Sequence, residues 1–288
     1  MEKHVFKFGE SSLAIIIPKK WAVKHRLSRE SRISVSEGQR GELVISAEEL
    51  KSREAARTVD KSLDPDLITR WIGLNYMYGA SRLKIYSENG FSQEQLGAIE
   101  DKLSTDCPGF EVTSQSHGEI GIEDFSNIKD MDLQKVLARI KFLIEQEFTE
   151  VLSGNPKTVA KIEKRVNRFY MMGTRYLNLA QPRDYQRYYV FLNKLELISD
   201  RMAESSADVT PKKRQIYRLL GSQFALCYSA FDGDERLIAK AAELRKEVKS
   251  MVKRARLEHH EGFVFMEIAN SIANIAEYGF MVEKALPV

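Results

Sequence analysis

Ser153-Gly154-Asn155-Pro156-Lys157-Thr158-Val159-Ala160-Lys161-Ile162-Glu163-Lys164-Arg165-Val166-Asn167-Arg168-Phe169-Tyr170 is the stretch on which the fold turns. A Gly-Asn-Pro break is followed at once by apolar residues (Val159, Ile162, Val166, Phe169 and Tyr170) spaced by threes and fours. Gly ends one helix, Pro is tolerated in the first turn of the next, and the spacing lines up one apolar face. The same grammar recurs on both sides and predicts helices over 131–153, 156–180, 183–206, 211–231, 234–257 and 261–285. The further breaks are Gln181-Pro182, Pro211, Asp232-Gly233-Asp234 and Glu261-Gly262.

Two correspondences make these helices a repeated three-helix unit. Ser153-Gly154-Asn155 matches Asp232-Gly233-Asp234 at an offset of 79 residues, and Ile198-Ser199-Asp200 matches Ile268-Ala269-Asn270 at 70. Two antiparallel three-helix bundles over 129–288 are the economical arrangement.

Upstream the texture changes twice. Between 64 and 128, helix and strand patterns alternate: a helix from Asp66 to Ala80, a strand from Arg82 to Tyr86, and a helix from Ser92 to Leu103 with Ser92 as its cap. Strands from Glu111 to Ser116 and Glu119 to Phe125 follow across His117-Gly118, making a small α/β layer. Between 4 and 46, short strands surround one short helix. Val5 to Phe8 and Ser11 to Ile17 read as strands, the second rich in β-branched residues, and Pro18 opens a helix from Lys19 to His25. Arg32 to Ser36 and Glu42 to Ser46 alternate around Glu37-Gly38-Gln39-Arg40-Gly41, a hairpin signal. A unit this small buries too little to stand alone, so pairing with a second copy is the physical expectation. The fold class expected is α+β, mainly α, divided at 1–50, 51–128 and 129–288.

Composition narrows the function classes. The 288 residues carry 44 Lys and Arg against 41 Asp and Glu, a net charge of +3. The charge is uneven: +4 over 1–63, −4 over 64–209, +6 over 210–258 and −3 over the remainder. The first excess could serve phosphate contacts. The +6 stretch reads as exposed helix faces, its Lys and Arg recurring beside Glu243 and Glu247. The longest aliphatic stretch, Leu13 to Ile17, is far short of a membrane span. Met1-Glu2-Lys3-His4 lacks an apolar signal segment, and Cys107 with Cys227 excludes a disulfide scaffold or a four-thiolate zinc site. The expectation is a cytoplasmic protein without membrane insertion.

Phe8-Gly9-Glu10-Ser11-Ser12-Leu13-Ala14-Ile15-Ile16-Ile17-Pro18-Lys19-Lys20-Trp21 resembles the AbrB/SpoVT swapped-hairpin module. Leu195-Glu196-Leu197-Ile198-Ser199-Asp200 resembles the Leu-Glu-Arg-Ile-Gly-Asp signature of the PhoU family, and Asn274-Ile275-Ala276-Glu277 its Asn-Ile-Ala-Glu. The order of the parts is similar to archaeal PhoU-like regulators over nearly the whole chain. The resemblance implies a homodimer through residues 1–50, whose two N-terminal modules interlock into one β-barrel that docks on duplex DNA. It also implies a helical part that senses phosphate status or binds a phosphate transporter or signalling protein.

The basic residues placed for DNA are Lys7, Lys19, Lys20, Lys24 and Arg26. Ala14, Ala22 and Val23 stand where DNA-binding members carry arginine. Lysines act as point charges without the bidentate fork of arginine, which suits loosely sequence-selective binding. The alternative is a barrel used only to dimerise, in an accessory protein of a phosphate transporter or kinase.

The PhoU resemblance also implies carboxylate pairs at i,i+4 that hold iron or another cation. That spacing puts both carboxylates on one side of a helix, which suits oxygen coordination of a hard cation. By composition alone roughly six such pairs are expected, so the family match carries the assignment. The first repeat keeps Glu196 and Asp200, preceded by Glu163 and by Asn167 where an aspartate is expected. In the second repeat the signature positions are Met266 and Asn270, with Glu243 and Glu247 on the preceding helix. His259-His260-Glu261 reads as exposed capping, and Tyr185, Tyr188, Tyr189 and Phe191 as packing. No phosphate-cradling glycine loop or nucleophile elbow stands out, so no enzyme is expected.

Overall fold

The computed structural model describes residues 4–9, 12–31, 33–37, 43–46, 53–126, 131–182, 184–231 and 235–283. The expected hairpin turn at 38–41, the break at 232–234, and expected element ends at Ser11, Arg32, Glu42, Arg183 and beyond Glu283 lie outside them. The chain divides into two compact units, 1–52 and 53–288.

In the first unit β1 (Val5–Phe8) pairs antiparallel with β2 (Ser12–Ile15), Val5 facing Ile15 and Phe8 facing Ser12. The second strand ends two residues short of the expected Ile17, because its partner runs out at Val5 and Pro18 lies ahead. Proline confines the residue before it and removes a donor. Pro18 then precedes α1 (Lys19–Lys24), and His25 closes it through its N–H to Trp21 O. A second antiparallel pair joins β3 (Ser34–Glu37) to β4 (Leu43–Ser46). Among the described residues the strands of one chain close into no barrel.

The second unit starts with β5 (Arg53–Thr58), a strand the sequence pattern gave no sign of. Then come α2 (Pro65–Met77), β6 (Ala80–Tyr86), α3 (Gln93–Asp106), β7 (Phe110–Gln115) and β8 (Glu119–Asp124). The sheet order is β5-β6-β8-β7, parallel at the first pair and antiparallel at the others. Helix α2 stops at Met77 rather than Ala80. Gly79 takes φ +84°, and a Cβ there would lie 2.7 Å from the Leu179 side chain. The left-handed turn and the close approach both require glycine. Ser92 caps α3 as expected, accepting from Gln95 N while the Gln95 side chain accepts from Ser92 N.

Six long helices follow: α4 (Leu133–Ser153), α5 (Pro156–Ala180), α6 (Tyr185–Ser205), α7 (Pro211–Ala230), α8 (Glu235–Ala255) and α9 (His259–Glu283). Asp132 caps α4, Gly154 ends it at φ +78°, and Thr210 caps α7 with Pro211 in its first turn. The protein is mainly helical with small sheets, an α+β composition. The two sets of three helices share one hydrophobic core, α4 packing on α7 and α6 along α9.

The α/β layer is bolted to the bundle through α5. Arg175, 1% exposed, donates to Tyr76 O, to Ala80 O at 2.8 Å and to Asp124 Oδ2, with its guanidinium over the Tyr76 and Phe110 rings. The charge is thus paired and hydrogen-bonded on every side but one, the condition under which a buried guanidinium is tolerated.

Candidate functional site

Two regions hold the residues singled out from the sequence. The first is the N-terminal unit. Lys7 lies on β1 opposite Leu13; Lys19, Lys20 and Lys24 lie on α1, and Arg26 follows it at φ +53°. All five are exposed. None of the described residues of this unit is buried. Val5, Phe6, Phe8, Leu13, Ile15 and Ile16 around the first hairpin, Val23 on α1, and Val35 and Leu43 on the second hairpin are all largely exposed, Phe8 and Leu13 by 71% and 72%. Because successive strand residues point to opposite faces, Phe6 and Phe8 expose apolar surface on one face and Val5 on the other.

The second region lies where α4, α5 and α6 meet. Glu163 of α5 and Glu196 of α6 interact with Asp200, one turn after Glu196. Burial, followed by the Asp200 carboxylate, pushes Glu163 and Glu196 up to about 7; burial also raises Asp200, against the lowering effect of Glu196, Arg201 and Glu163. The fold adds an acid that the motif does not contain. Glu147 of α4 is 0% exposed, accepts from Ser199 Oγ at 2.6 Å through Oε1, and leaves Oε2 without a partner. Burial pushes it up to about 8, with the Ser199 bond opposing and Glu163 and Asp200 adding to the rise. Asn167 is half-buried one turn beyond Glu163, and among the described residues no hydrogen bond joins it to the acids. Arg201 lies beside Asp200 but is held by Glu204 and Glu267, each at 2.6 Å.

As the side chains stand, no group of three or more His, Cys, Asp or Glu among the described residues is arranged to hold a metal ion. The donor atoms brought together here are all oxygen, and Glu147 Oε2 is buried without a partner.

The second repeat has the same scaffold without the acids. Ile140, Ile144, Phe148 and Val151 of α4 correspond, at an offset of 76 residues, to Ile216, Leu220, Phe224 and Cys227 of α7, and all eight are buried. At that offset Glu147 corresponds to Gln223, also 0% exposed. Gln223 Nε2 donates to Ala269 O at 3.1 Å, and Ala269 is the counterpart of Ser199. Asn270, the counterpart of Asp200, accepts from Arg245 Nε and Nη2 at 3.1 and 2.9 Å. Glu243 and Glu247 are exposed on α8 and do not join this group.

The remaining features are structural. Glu261 pairs with Lys213, and His260 with Glu258 at 3.5 Å. Phe191 stacks on Phe231 at 3.9 Å, and Tyr185 on Tyr189 at 5.8 Å. Glu147 was missed because a lone acid in a helix ordinarily marks the solvent face. Its signal was its register, three residues after Ile144 and one before Phe148, on the apolar stripe. Comparison of the chain with protein-family models, curated proteins and solved structures found no match.

Proposed function

We propose that the protein is a dimeric DNA-binding transcriptional regulator of the PhoU-like type, linked to phosphate uptake, whose helical part holds a cation and meets a partner or effector. The observation that carries this reading is the N-terminal unit, in which no described side chain is buried and the apolar residues are exposed beside Lys7, Lys19, Lys20, Lys24 and Arg26. An apolar surface of that kind calls for a partner. A second copy supplies one by interlocking and doubles the basic face in the same step, presenting two equal sets of cations to two half-sites.

In this reading lysines neutralise backbone phosphates and so position the dimer, and base readout is slight. The cation belongs to the first repeat, at Glu163, Asn167, Glu196 and Asp200, and is divalent or iron. It would supply positive charge that fixes the three helices relative to one another. The absence of arginine at Ala14, Ala22 and Val23 favours a second reading, an accessory protein of a phosphate transporter or kinase that uses the N-terminal unit only to dimerise.

Binding to a labelled duplex, titrated with salt, separates the two. The regulator binds at low salt, with log K falling by about 0.9 per phosphate contact for each unit of log salt. Replacing Lys7, Lys19 and Lys20 by Ala flattens the slope. A wild type without affinity at low salt selects the accessory reading.

A further inference from the structure

Helix α5 bares a row of like charge. Lys157, Lys161, Lys164 and Arg168 follow one another at intervals of four, three and four residues, which places all four on one face. Each is exposed, and so is Arg165 beside them. At a rise of about 1.5 Å per residue the row is roughly 16 Å long. Among the described residues none of the five has an ion-pair partner or a side-chain hydrogen bond, whereas Arg82, Lys102, Lys141 and Arg201 of the same unit are all paired. The net −4 of residues 64–209 conceals the row in the sequence.

The nearby acids are engaged elsewhere. The one acid of α5, Glu163, is half-buried and interacts with Asp200. On the adjoining helices Asp106 pairs with Lys102 at 2.6 Å, Glu145 pairs with Lys141 at 3.6 Å, and Glu150 accepts from Asn155 Nδ2 at 2.8 Å. The second repeat shows what a solvated face at this place looks like. At the offset of 79 residues the counterparts are Arg236, Lys240, Glu243 and Glu247, all exposed and two of each sign. The further cations of α8, Lys246, Lys249, Lys253 and Arg256, share their helix with those two acids. Like charges three and four residues apart destabilise a helix, so solvation alone gives no reason for four in a row.

We infer that the row on α5 is a contact surface for the phosphate backbone of duplex DNA. Thr158 and Ala160 are the uncharged residues exposed among the cations, and Val159, Ile162 and Val166 are buried in the core, so the face has no apolar anchor. Protein interfaces are built on aromatic and apolar anchors and are poor in lysine, and a helix that lies on a lipid surface needs an apolar face. A duplex asks only for charge: it carries one negative charge about every 1.7 Å of its axis, and cations that neutralise phosphates release counterions. Such contacts position a duplex without reading its sequence. The inference goes beyond the N-terminal reading, since it places a contact on the other unit and holds whether or not Lys7, Lys19 and Lys20 bind.

The test is the salt dependence with which the full chain binds a labelled duplex of arbitrary sequence. The combined Lys157→Ala, Lys161→Ala, Lys164→Ala and Arg168→Ala variant lowers the slope of log K against log salt by about 0.9 for each phosphate contact removed, and its affinity at low salt falls by about ten-fold or more. Alanine on an exposed helix face favours the helix, so the variant keeps its fold. A control, Arg82→Ala, Lys84→Ala, Lys135→Ala and Lys141→Ala, removes as much charge from cations that already have acid partners and keeps the wild-type slope. The Lys7→Ala, Lys19→Ala and Lys20→Ala variant retains a salt-dependent affinity that the α5 changes then remove. Loss on α5 with none from the N-terminal changes supports the inference and removes the N-terminal reading. A wild-type slope in the α5 variant, or an equal loss in the control, overturns the inference and leaves the N-terminal reading standing; if that variant instead loses binding to poly-L-glutamate, the row serves an acidic protein. No affinity of wild type for DNA at low salt overturns both.

Discussion

The N-terminal unit and the unit of residues 53–288 solve the same problem in opposite ways. In the larger unit Ile140, Leu143, Phe191, Leu195, Phe224 and Phe265 are all at or near zero exposure, and even a guanidinium, Arg175, is enclosed and paired. In the smaller one Phe8 and Leu13 are mostly exposed and no described residue is buried. A chain of some fifty residues encloses little core of its own, whereas one several times longer encloses a substantial one. The difference teaches that apolar sequence calls for burial without saying by what: the larger unit finds its cover within the chain, and the smaller one leaves its apolar side chains exposed.

The largest expected effect falls on the self-sufficient side. Arg175→Met removes the cation that Asp124, 10% exposed, is paired with, together with donors to Tyr76 O and Ala80 O. Breaking a buried pair in this way costs about 3–5 kcal/mol. Calorimetry should show the main transition lowered while the state of association is unchanged. A melting temperature equal to wild type would show that α5 is not what ties the α/β layer to the bundle.

A smaller effect sharpens the contrast within the helical unit. Glu147, Glu163 and Glu196 bind their protons more tightly in the folded state than at the usual carboxylate value, Glu147 up to about 8. Between roughly pH 4.5 and 8 the folded metal-free protein therefore holds more protons than the unfolded chain, and its stability falls as pH rises. Glu147→Gln removes the highest of these groups. Melting temperatures measured across that range should fall less steeply in the variant, which should exceed wild type above pH 8. Parallel curves would mean that Glu147 is not the proton-holding group described.

Much of this was legible beforehand because it is written locally. The break at Gly154-Asn155-Pro156, the threes and fours of Val159, Ile162 and Val166, and the cap at Ser92 each act within a few residues, and they set the element ends closely. Strand β5 was not legible: Arg53-Glu54-Ala55-Ala56-Arg57-Thr58 is composed mostly of helix formers, and it is a strand because β6 offers it an edge. The site divides in the same manner. Glu196 and Asp200 share a helix face by spacing alone, whereas Glu147 comes from a different helix and bonds to Ser199, 52 residues away in the chain. Arg175 likewise meets partners near residues 76, 80 and 124, a juxtaposition made by tertiary packing.

The claim that bears most of the weight is that the N-terminal unit is completed by a second copy of the chain. Sedimentation equilibrium of the full chain and of residues 53–288 tests it directly. The account predicts a dimer for the first and a monomer for the second, with Leu13→Asp in the full chain reproducing the monomer. A full chain that sediments as a monomer, or a dimer that persists without residues 1–52, would contradict it.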